Sequence, residues 1–375
     1  MKNNVTMLLF CKLPFESISI DDDGNVWPSC CPDWVDFSFG NVLKDSWEEI
    51  WEGEKATLFR SSCLDGSLRF CDKNWCPHIS DAQDGVDNFH VVPYLSHHSK
   101  TKVLSPKHVN LNYDFTCNLK CPSCRPGLIH IKGDEFDKIQ QLHEFVELNI
   151  LPIVESVALT GVGDPFMSKV FRKFLFEFDD KKYPKLKKIH FHTNGILFDE
   201  ELFNRMKGIH NLDISMDISI DAASEKVYQK VRPPGNWNTL MKNLDYIKTL
   251  DNISEIGISM VVQQENYHEM HQFIELGAKQ VVANRNVFVE FKRLRHWIYT
   301  ISLDQYKKIG LEFLSPSKKI DFIEVMESVD KRRKENDKFQ VLPHIRHNLQ
   351  EALSKKPKST DDDFIFNRIL NKIKN

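Results

Sequence analysis

Apolar residues between about positions 105 and 300 recur with two periods that take turns along the chain. Short runs at His108–Phe115, Ser156–Leu159, Lys188–His192, Leu212–Ile220, Ile256–Val262 and Val287–Phe291 read as strands. Longer stretches with apolar residues at helical spacing separate them: Glu135–Leu148, then 168–178, 199–208, 222–230, 238–249 and 267–278. This alternation predicts an α/β fold of parallel strands joined by right-handed helical crossovers. A partial barrel and an open, flavodoxin-like sheet satisfy the periodicity equally. One run carries more information than the rest. From Asp213 to Asp221 polar and apolar residues alternate strictly, so Asp213, Ser215, Asp217, Ser219 and Asp221 share one face. In a central barrel strand, such a face lines a cavity shaped for polar ligands.

The remainder of the chain follows other rules. Residues 1–80 form short strand-like pieces between turns: Ser17–Ile20, the Asp23-Gly24 hairpin turn, and a return at Asn25–Trp27. Ser46 reads as a helix N-cap with Glu49 completing a capping box before Ile50-Trp51. Residues 81–104 read as a polar, His-rich linker, 105–300 as the αβ domain, and 301–375 as helices with a charged tail. A net charge of −3 lacks the basic footprint of a nucleic-acid binder. No apolar run approaches the ~18 residues of a membrane span, and Val5–Phe10 is too short for a signal sequence. A cytoplasmic location is the resulting expectation.

Cysteine usage turns this description towards chemistry. All nine cysteines lie within the first 124 residues, an odd and front-loaded set that argues for metal ligation over a disulfide framework. Cys117, Cys121 and Cys124 form a C-x₃-C-x₂-C cluster directly after the first αβ-domain strand. Three thiolates can hold three irons of a cubane and leave the fourth open to a cofactor or substrate. A zinc site is the alternative, with His130 the nearby fourth ligand.

The triplet after a strand resembles the radical S-adenosylmethionine superfamily, and later strand ends extend the resemblance in order. Thr160-Gly161-Val162-Gly163-Asp164-Pro165 resembles the family's Gly-rich element that receives the amino group of S-adenosylmethionine, with Asp164 in place of the usual Glu. Thr193-Asn194-Gly195 resembles its T-N-G step, Ser219-Ile220-Asp221 its S-i-D step, and Tyr228–Arg232 the helix that follows. The resemblance implies a partial (β/α)₆ TIM-like barrel. It implies cofactor contacts from Gly161, Gly163, Asp164, Thr193, Asn194, Ser219, Arg232 and Gln263, with Ser219 on a ribose or carboxylate and Arg232 clamping a carboxylate. Ser123 stands where an aromatic residue commonly packs on the adenine, so that contact must come from elsewhere. One step inward of Ser219, Asp217 is the candidate catalytic residue, placed to orient a polar substrate or take a proton. A structural carboxylate bonded to backbone is the plainer reading of the same residue.

The first 80 residues resemble the SPASM/twitch auxiliary-cluster domain of such enzymes. The matching features are Cys11, Asp23–Val26, Cys30, Phe39-Gly40-Asn41, Ser46–Trp51, Arg60, Cys71 and Cys76. Two departures stand out: the domain precedes the barrel, and it has six cysteines where seven are usual. The resemblance implies one auxiliary 4Fe–4S cluster on Cys11, Cys30, Cys71 and Cys76, with Cys31 the alternative to Cys30 and Cys63 a buried small residue. Zinc is again the alternative. The expected activity is hydrogen abstraction by a 5′-deoxyadenosyl radical from a ribosomally made peptide, forming a crosslink or epimerising a residue. An oxidoreductase of a sugar or aminocyclitol is the second expectation, and a non-catalytic metal-binding interaction protein the third. An external one-electron reductant such as flavodoxin or ferredoxin would serve the enzyme.

Overall fold

In the computed structural model the described residues are 8–28, 34–35, 37–73, 76, 78–79, 82, 90–159, 162–294, 301–332, 334–336 and 338–343. They fall into two compact units, Met1–Asn118 with Leu128–Ile218 and Lys242–Glu255, and Leu119–Gly127 with Ser219–Met241 and Ile256–Asn375. The strands in chain order are β1 (Leu9–Cys11), β2 (Ser17–Asp21), β3 (Asn25–Trp27), β4 (Gly40–Asn41), β5 (Val91–Pro93), β6 (His108–Asn112) and β7 (Ser156–Leu159). They continue with β8 (Lys188–Thr193), β9 (Asp213–Ser219), β10 (Ile253–Val262), β11 (Asn286–Arg293), β12 (Lys334–Asn336) and β13 (Phe339–Pro343).

In the first unit the sheet order is β9-β8-β7-β6-β2-β3-β4. From β9 to β2 every pairing is parallel, and the hairpin strands β3 and β4 add on antiparallel. The mostly parallel sheet and its crossover helices make an α/β fold of the partial TIM-barrel kind. Period 2 explains its layering. Ile189 and Phe191 of β8 and Ile214, Met216 and Ile218 of β9 are wholly buried on one face, while His190, His192 and Asp217 lie half-buried on the other. The helix Asp134–Asn149 buries Ile139, Leu142 and Val146. Side-chain caps start other helices: Ser168 accepts from the Phe171 amide, Asp199 from Leu202 and Ser224 from Val227. In the second unit β10, β11, β13 and β12 are neighbours in that order, with β13 parallel to β11 and antiparallel to β12.

Two strands escaped the reading of the chain beyond residue 301. The helices Leu303–Ile309 and Pro316–Asp330 are present there, but β12 and β13 follow them. In β13 Phe339 and Val341 are buried, too short an alternation to stand out in a charged tail. The linker reading likewise missed β5, which pairs antiparallel with β1. Most consequential is β2, the hairpin strand at the front of the chain. It pairs in parallel with β6, Ser17 opposite His108 through Asp21 opposite Asn112.

The front segment coheres through one buried cation. Arg60, 2% exposed, donates from Nε to the Pro14 carbonyl at 2.8 Å and from Nη1 to the Trp51 carbonyl at 2.6 Å. Its guanidinium carbon lies 4.0 Å from the centroid of the Trp51 ring. Burial lowers its pKa to about 10, with Cys63 and Glu52 pulling the other way, so it stays charged at neutral pH. The capping box read from sequence is present: the Glu49 amide donates to Ser46 Oγ, and the Ser46 amide donates to Glu49 Oε2. Replacing Arg60 by Ala removes two charged-donor hydrogen bonds and a stacked cation, a loss of about 3 kcal/mol. A urea midpoint that falls in Arg60→Ala and recovers only partly in Arg60→Lys is the expected outcome.

A second buried polar group makes stability depend on pH. Tyr113 Oη lies 2.6 Å from His143 Nδ1, beneath Phe171 and Phe174. Burial lowers the imidazole to about 3 from its usual 6.5. The unfolded chain therefore takes up this proton as pH drops through 6.5, while the folded one holds out to about 3. Stability falls across that window, approaching ~1.4 kcal/mol per pH unit. Denaturation midpoints between pH 6.5 and 4 should fall less steeply in His143→Gln, which accepts from Tyr113 without titrating.

Candidate active site

In the first unit three consecutive strand ends are fastened to one another. After β6, Asp114 turns the chain: its Oδ1 accepts from the Thr116 amide at 2.8 Å and its Oδ2 from Ser168 Oγ at 2.5 Å. After β7, Asp164 donates its amide to the Thr116 carbonyl at 2.8 Å. Asp164 Oδ2 accepts from Thr193 Oγ1 at 2.8 Å and from the Asn194 amide at 2.9 Å, and Oδ1 accepts from the Phe166 amide at 3.1 Å. Burial pushes the Asp164 carboxyl up, and these hydrogen bonds oppose the shift. At 2% exposed, this carboxylate is engaged by its own chain.

Gly163 is glycine for a related reason. A Cβ there would lie 2.3 Å from the Asp114 carbonyl oxygen and 2.6 Å from that of Thr116. Close approach at this turn is thus to the β6 loop of the same chain. Gly161 lies outside the described residues. Asn194 reaches onward from the latch: its Nδ2 donates to Asn118 Oδ1 at 2.8 Å and points to Cys117 Sγ at 3.9 Å. Asn243 holds the same turn by donating to the carbonyls of Gly195 and Ile196, both at 2.9 Å.

On the polar face of β8 and β9, His190 Nδ1 lies 2.9 Å from Ser215 Oγ, and its Nε2 lies 3.7 Å from Asp217 Oδ2. His192 is the register partner of Asp217. Asp217 is thus set among histidines.

The second unit holds the rest of the candidate set. Cys121 and Cys124 close a turn in which the amides of Cys124 and Arg125 both donate to the Cys121 carbonyl, at 2.9 and 3.0 Å. Arg125 donates from Nε and Nη2 to Cys124 Sγ, each at 3.3 Å. Ser219 Oγ lies 3.3 Å from Ser259 Oγ. Arg232 Nη2 pairs with Asp221 Oδ2 at 2.7 Å. Burial opposes its charge, but Asp221, Cys121, Tyr228 and Cys124 outweigh that and hold it protonated. Asp221 sits at φ +60°, a conformation secured by the Val261 amide donating to Oδ1 at 2.7 Å and by Asn266 Nδ2 donating to its carbonyl at 2.8 Å. Among the described candidate residues, Nε of Arg232 and Nε2 of Gln263 are buried donors without a hydrogen-bond partner.

In the front segment Cys11, Cys63 and Cys76 are buried and Cys71 is half-buried. Burial raises the thiols of Cys63 and Cys71, the latter to about 12. Cys71 adds to the shift of Cys63, and Cys76 to that of Cys71. Cys63 is therefore a neighbour of Cys71, one of the proposed ligands, which its sequence position did not reveal. Cys30 and Cys31 lie outside the described residues. Among the described residues no group of three or more His, Cys, Asp or Glu side chains is already gathered to hold a metal ion, and no helix is long and apolar enough to cross a membrane.

Comparison with known proteins gives this arrangement a family. The family model of the Radical SAM superfamily matches residues 113–277, and that of an iron–sulfur cluster-binding domain, SPASM, matches residues 11–78. Residues 113–277 are a radical S-adenosylmethionine domain, and a SPASM domain at residues 11–78 precedes it in the chain. These domains imply S-adenosylmethionine, a 4Fe–4S cluster and auxiliary iron–sulfur as cofactors. The chain is 28% identical over 180 residues to the GTP 3′,8-cyclase of Synechocystis sp., a match covering 48% of this chain and 52% of the relative. It is 26% identical over 177 residues to molybdenum cofactor biosynthesis protein 1 of Dictyostelium discoideum, covering 47% of this chain and 27% of the relative. The match thus spans about half of the first relative and about a quarter of the second. Among solved structures, Streptococcus suis SuiB bound to precursor peptide SuiA aligns at TM-score 0.44 and 15% identity, covering 82% of this chain and 67% of that one. Native anSMEcpe with bound AdoMet and a Cp18Cys peptide aligns at 0.37 and 19%, covering 58% of this chain and 61% of that one.

The side chains fit these cofactors. Three cysteines at the family spacing could supply the thiolates, Asn194 and Arg125 point donors at two of them, and the unpartnered donors of Arg232 and Gln263 suit polar groups of a bound cofactor. Gly163→Ala should disrupt the turn that positions the loop carrying Cys117. The variant is expected to lose most of the S-adenosylmethionine-responsive iron–sulfur signal while an auxiliary signal persists, as read by electron paramagnetic resonance.

Proposed function

We propose that the enzyme abstracts hydrogen from a ribosomally made peptide, with the reacting residue held against the polar face of β8 and β9. The observation that carries this reading is the grouping of Asp217 with His190 and Ser215 on that face. When bound, S-adenosylmethionine and the cluster on Cys117, Cys121 and Cys124 supply the 5′-deoxyadenosyl radical. The family resemblance assigns the cofactor contacts to Gly161, Gly163, Asp164, Thr193, Asn194, Ser219, Arg232 and Gln263, and Asp164 would serve by fixing the turn that offers Asn194. Asp217 orients a polar group of the substrate and holds at Oδ2 the proton released as the substrate is oxidised. His190, with Nε2 directed at that oxygen, shares the proton and keeps the carboxylate in place. Cys11, Cys30, Cys71 and Cys76 hold an auxiliary cluster that relays the electron, and an external one-electron donor primes the enzyme.

The curated relatives favour a second reading, a purine nucleotide substrate like that in the cyclase's name. A nucleoside triphosphate is a polyanion and calls for several cations to grip it. Lys188, Arg232 and Lys292 are each already matched by an acid, Asp213 at 3.7 Å, Asp221 at 2.7 Å and Glu290 at 2.7 Å, and Arg125 is turned onto Cys124 Sγ. That pairing favours the peptide. Anaerobically reconstituted protein should cleave S-adenosylmethionine to 5′-deoxyadenosine, and Cys121→Ala should abolish this. Asp217→Asn should keep cleavage without substrate yet lose at least about tenfold in peptide product, the low end of a missing general base. Wild-type turnover by Asp217→Asn would remove Asp217 from the chemistry, and product formed from GTP but not from peptide would replace the first reading with the second.

A further inference from the structure

We propose that Arg125 sets the reduction potential of the cluster bound by Cys117, Cys121 and Cys124, by donating two N–H groups to one of its thiolates. The inference rests on the radical S-adenosylmethionine reading of that triplet and concerns a residue outside the triplet itself. Arg125 follows the last cysteine directly, and the Cys121–Cys124 turn fixes its backbone through the Cys121 carbonyl at 3.0 Å. Its side chain folds back, so that Nε and Nη2 both lie 3.3 Å from Cys124 Sγ. Guanidinium is planar and always charged, and two neighbouring donors of its fork engage a single acceptor. Arg125 is 7% exposed and Cys124 half-buried, so water screens the pair less than it would at the surface.

The consequence follows from charge alone. Reduction adds one electron to the cluster, and hydrogen bonds to its sulfurs and nearby charge set how readily that happens. A fixed cation on a ligand sulfur stabilises the reduced state more than the oxidised one, and so raises the potential. Arg232 also feels the Cys121 and Cys124 sulfurs. Its charge, however, is countered by Asp221 at 2.7 Å, so the pair presents little net charge. Arg125 faces the sulfur itself. Cys117, by contrast, is approached by the neutral amide of Asn194 at 3.9 Å. Among the contacts described, the cationic one is at Cys124.

The test needs no substrate. Full-length protein is reconstituted anaerobically with iron and sulfide and titrated with dithionite against mediators, with electron paramagnetic resonance as the readout. The triplet signal is the one that changes when S-adenosylmethionine is added. Arg125→Gln should keep its iron and titrate at a more negative midpoint than the wild type. Arg125→Lys keeps the charge but loses the fork, and should shift in the same direction by less. Wild-type midpoints in both variants at unchanged iron content would overturn the proposal. Should Arg125→Gln fail to load iron, the lysine variant decides alone, and an unshifted midpoint there counts against it. If the wild type itself shows no signal responsive to S-adenosylmethionine, it is the family reading that fails.

Discussion

The Asp164 carboxylate is the contact on which the rest of the site depends. Buried and pushed towards its neutral form by that burial, it is kept in place by donors from two strand ends, while its own amide grips a third. Removing it would leave the Thr193 hydroxyl and the Asn194 amide unsatisfied in the interior, the costly way to lose a hydrogen bond. The network runs on without a break. Ser168 holds Asp114, Asp114 holds Thr116, Thr116 holds Asp164, and Asp164 holds the turn from which Asn194 reaches Asn118 and Cys117. The protein thereby shapes the start of its cysteine-bearing loop with its own polar groups.

Much of this could be read from the sequence, because the αβ region obeys simple periodicities. The six strand runs and their helices lie where alternation placed them, with ends shifted by a few residues, since caps and not apolar spacing fix termini. The strict alternation of β9 correctly placed Asp217 and Ser219 on one face. The same logic applied to β8 would have singled out His190 and His192, whose period-2 spacing was visible but lacked a reason to matter until Asp217 lay beside it. Other features could not be read locally. That Gly163 is forced by the carbonyls of Asp114 and Thr116 depends on residues some fifty positions away. That Arg125 turns back onto Cys124 is a matter of side-chain direction, which spacing does not encode. Strand partners are non-local too, which is why the pairings of β2 with β6 and of β13 with β11 were missed.

The front segment shows how a chain with few long apolar runs still gains a defined structure. Its helices meet over Phe39, Phe59 and Trp51, with a guanidinium laid on the aromatic faces in place of a further hydrocarbon. Arg60, one of the residues that match the family pattern, is an interior strut inside the helix Glu54–Leu64. Whatever cluster its cysteines hold, part of the segment's rigidity comes from this cation and its two carbonyl acceptors.

The pairing of β2 with β6 bears on self-association. A parallel sheet is safest when neither lateral boundary offers a long row of unpaired amides to another molecule. Here β6 is covered by β2, β2 by β3, and the series ends at β4, only two residues long. The auxiliary segment therefore doubles as a guard for the barrel's first strand. A barrel severed from it would display His108–Asn112 as a bare template, so solubility and catalytic competence are bound to the same stretch of polypeptide.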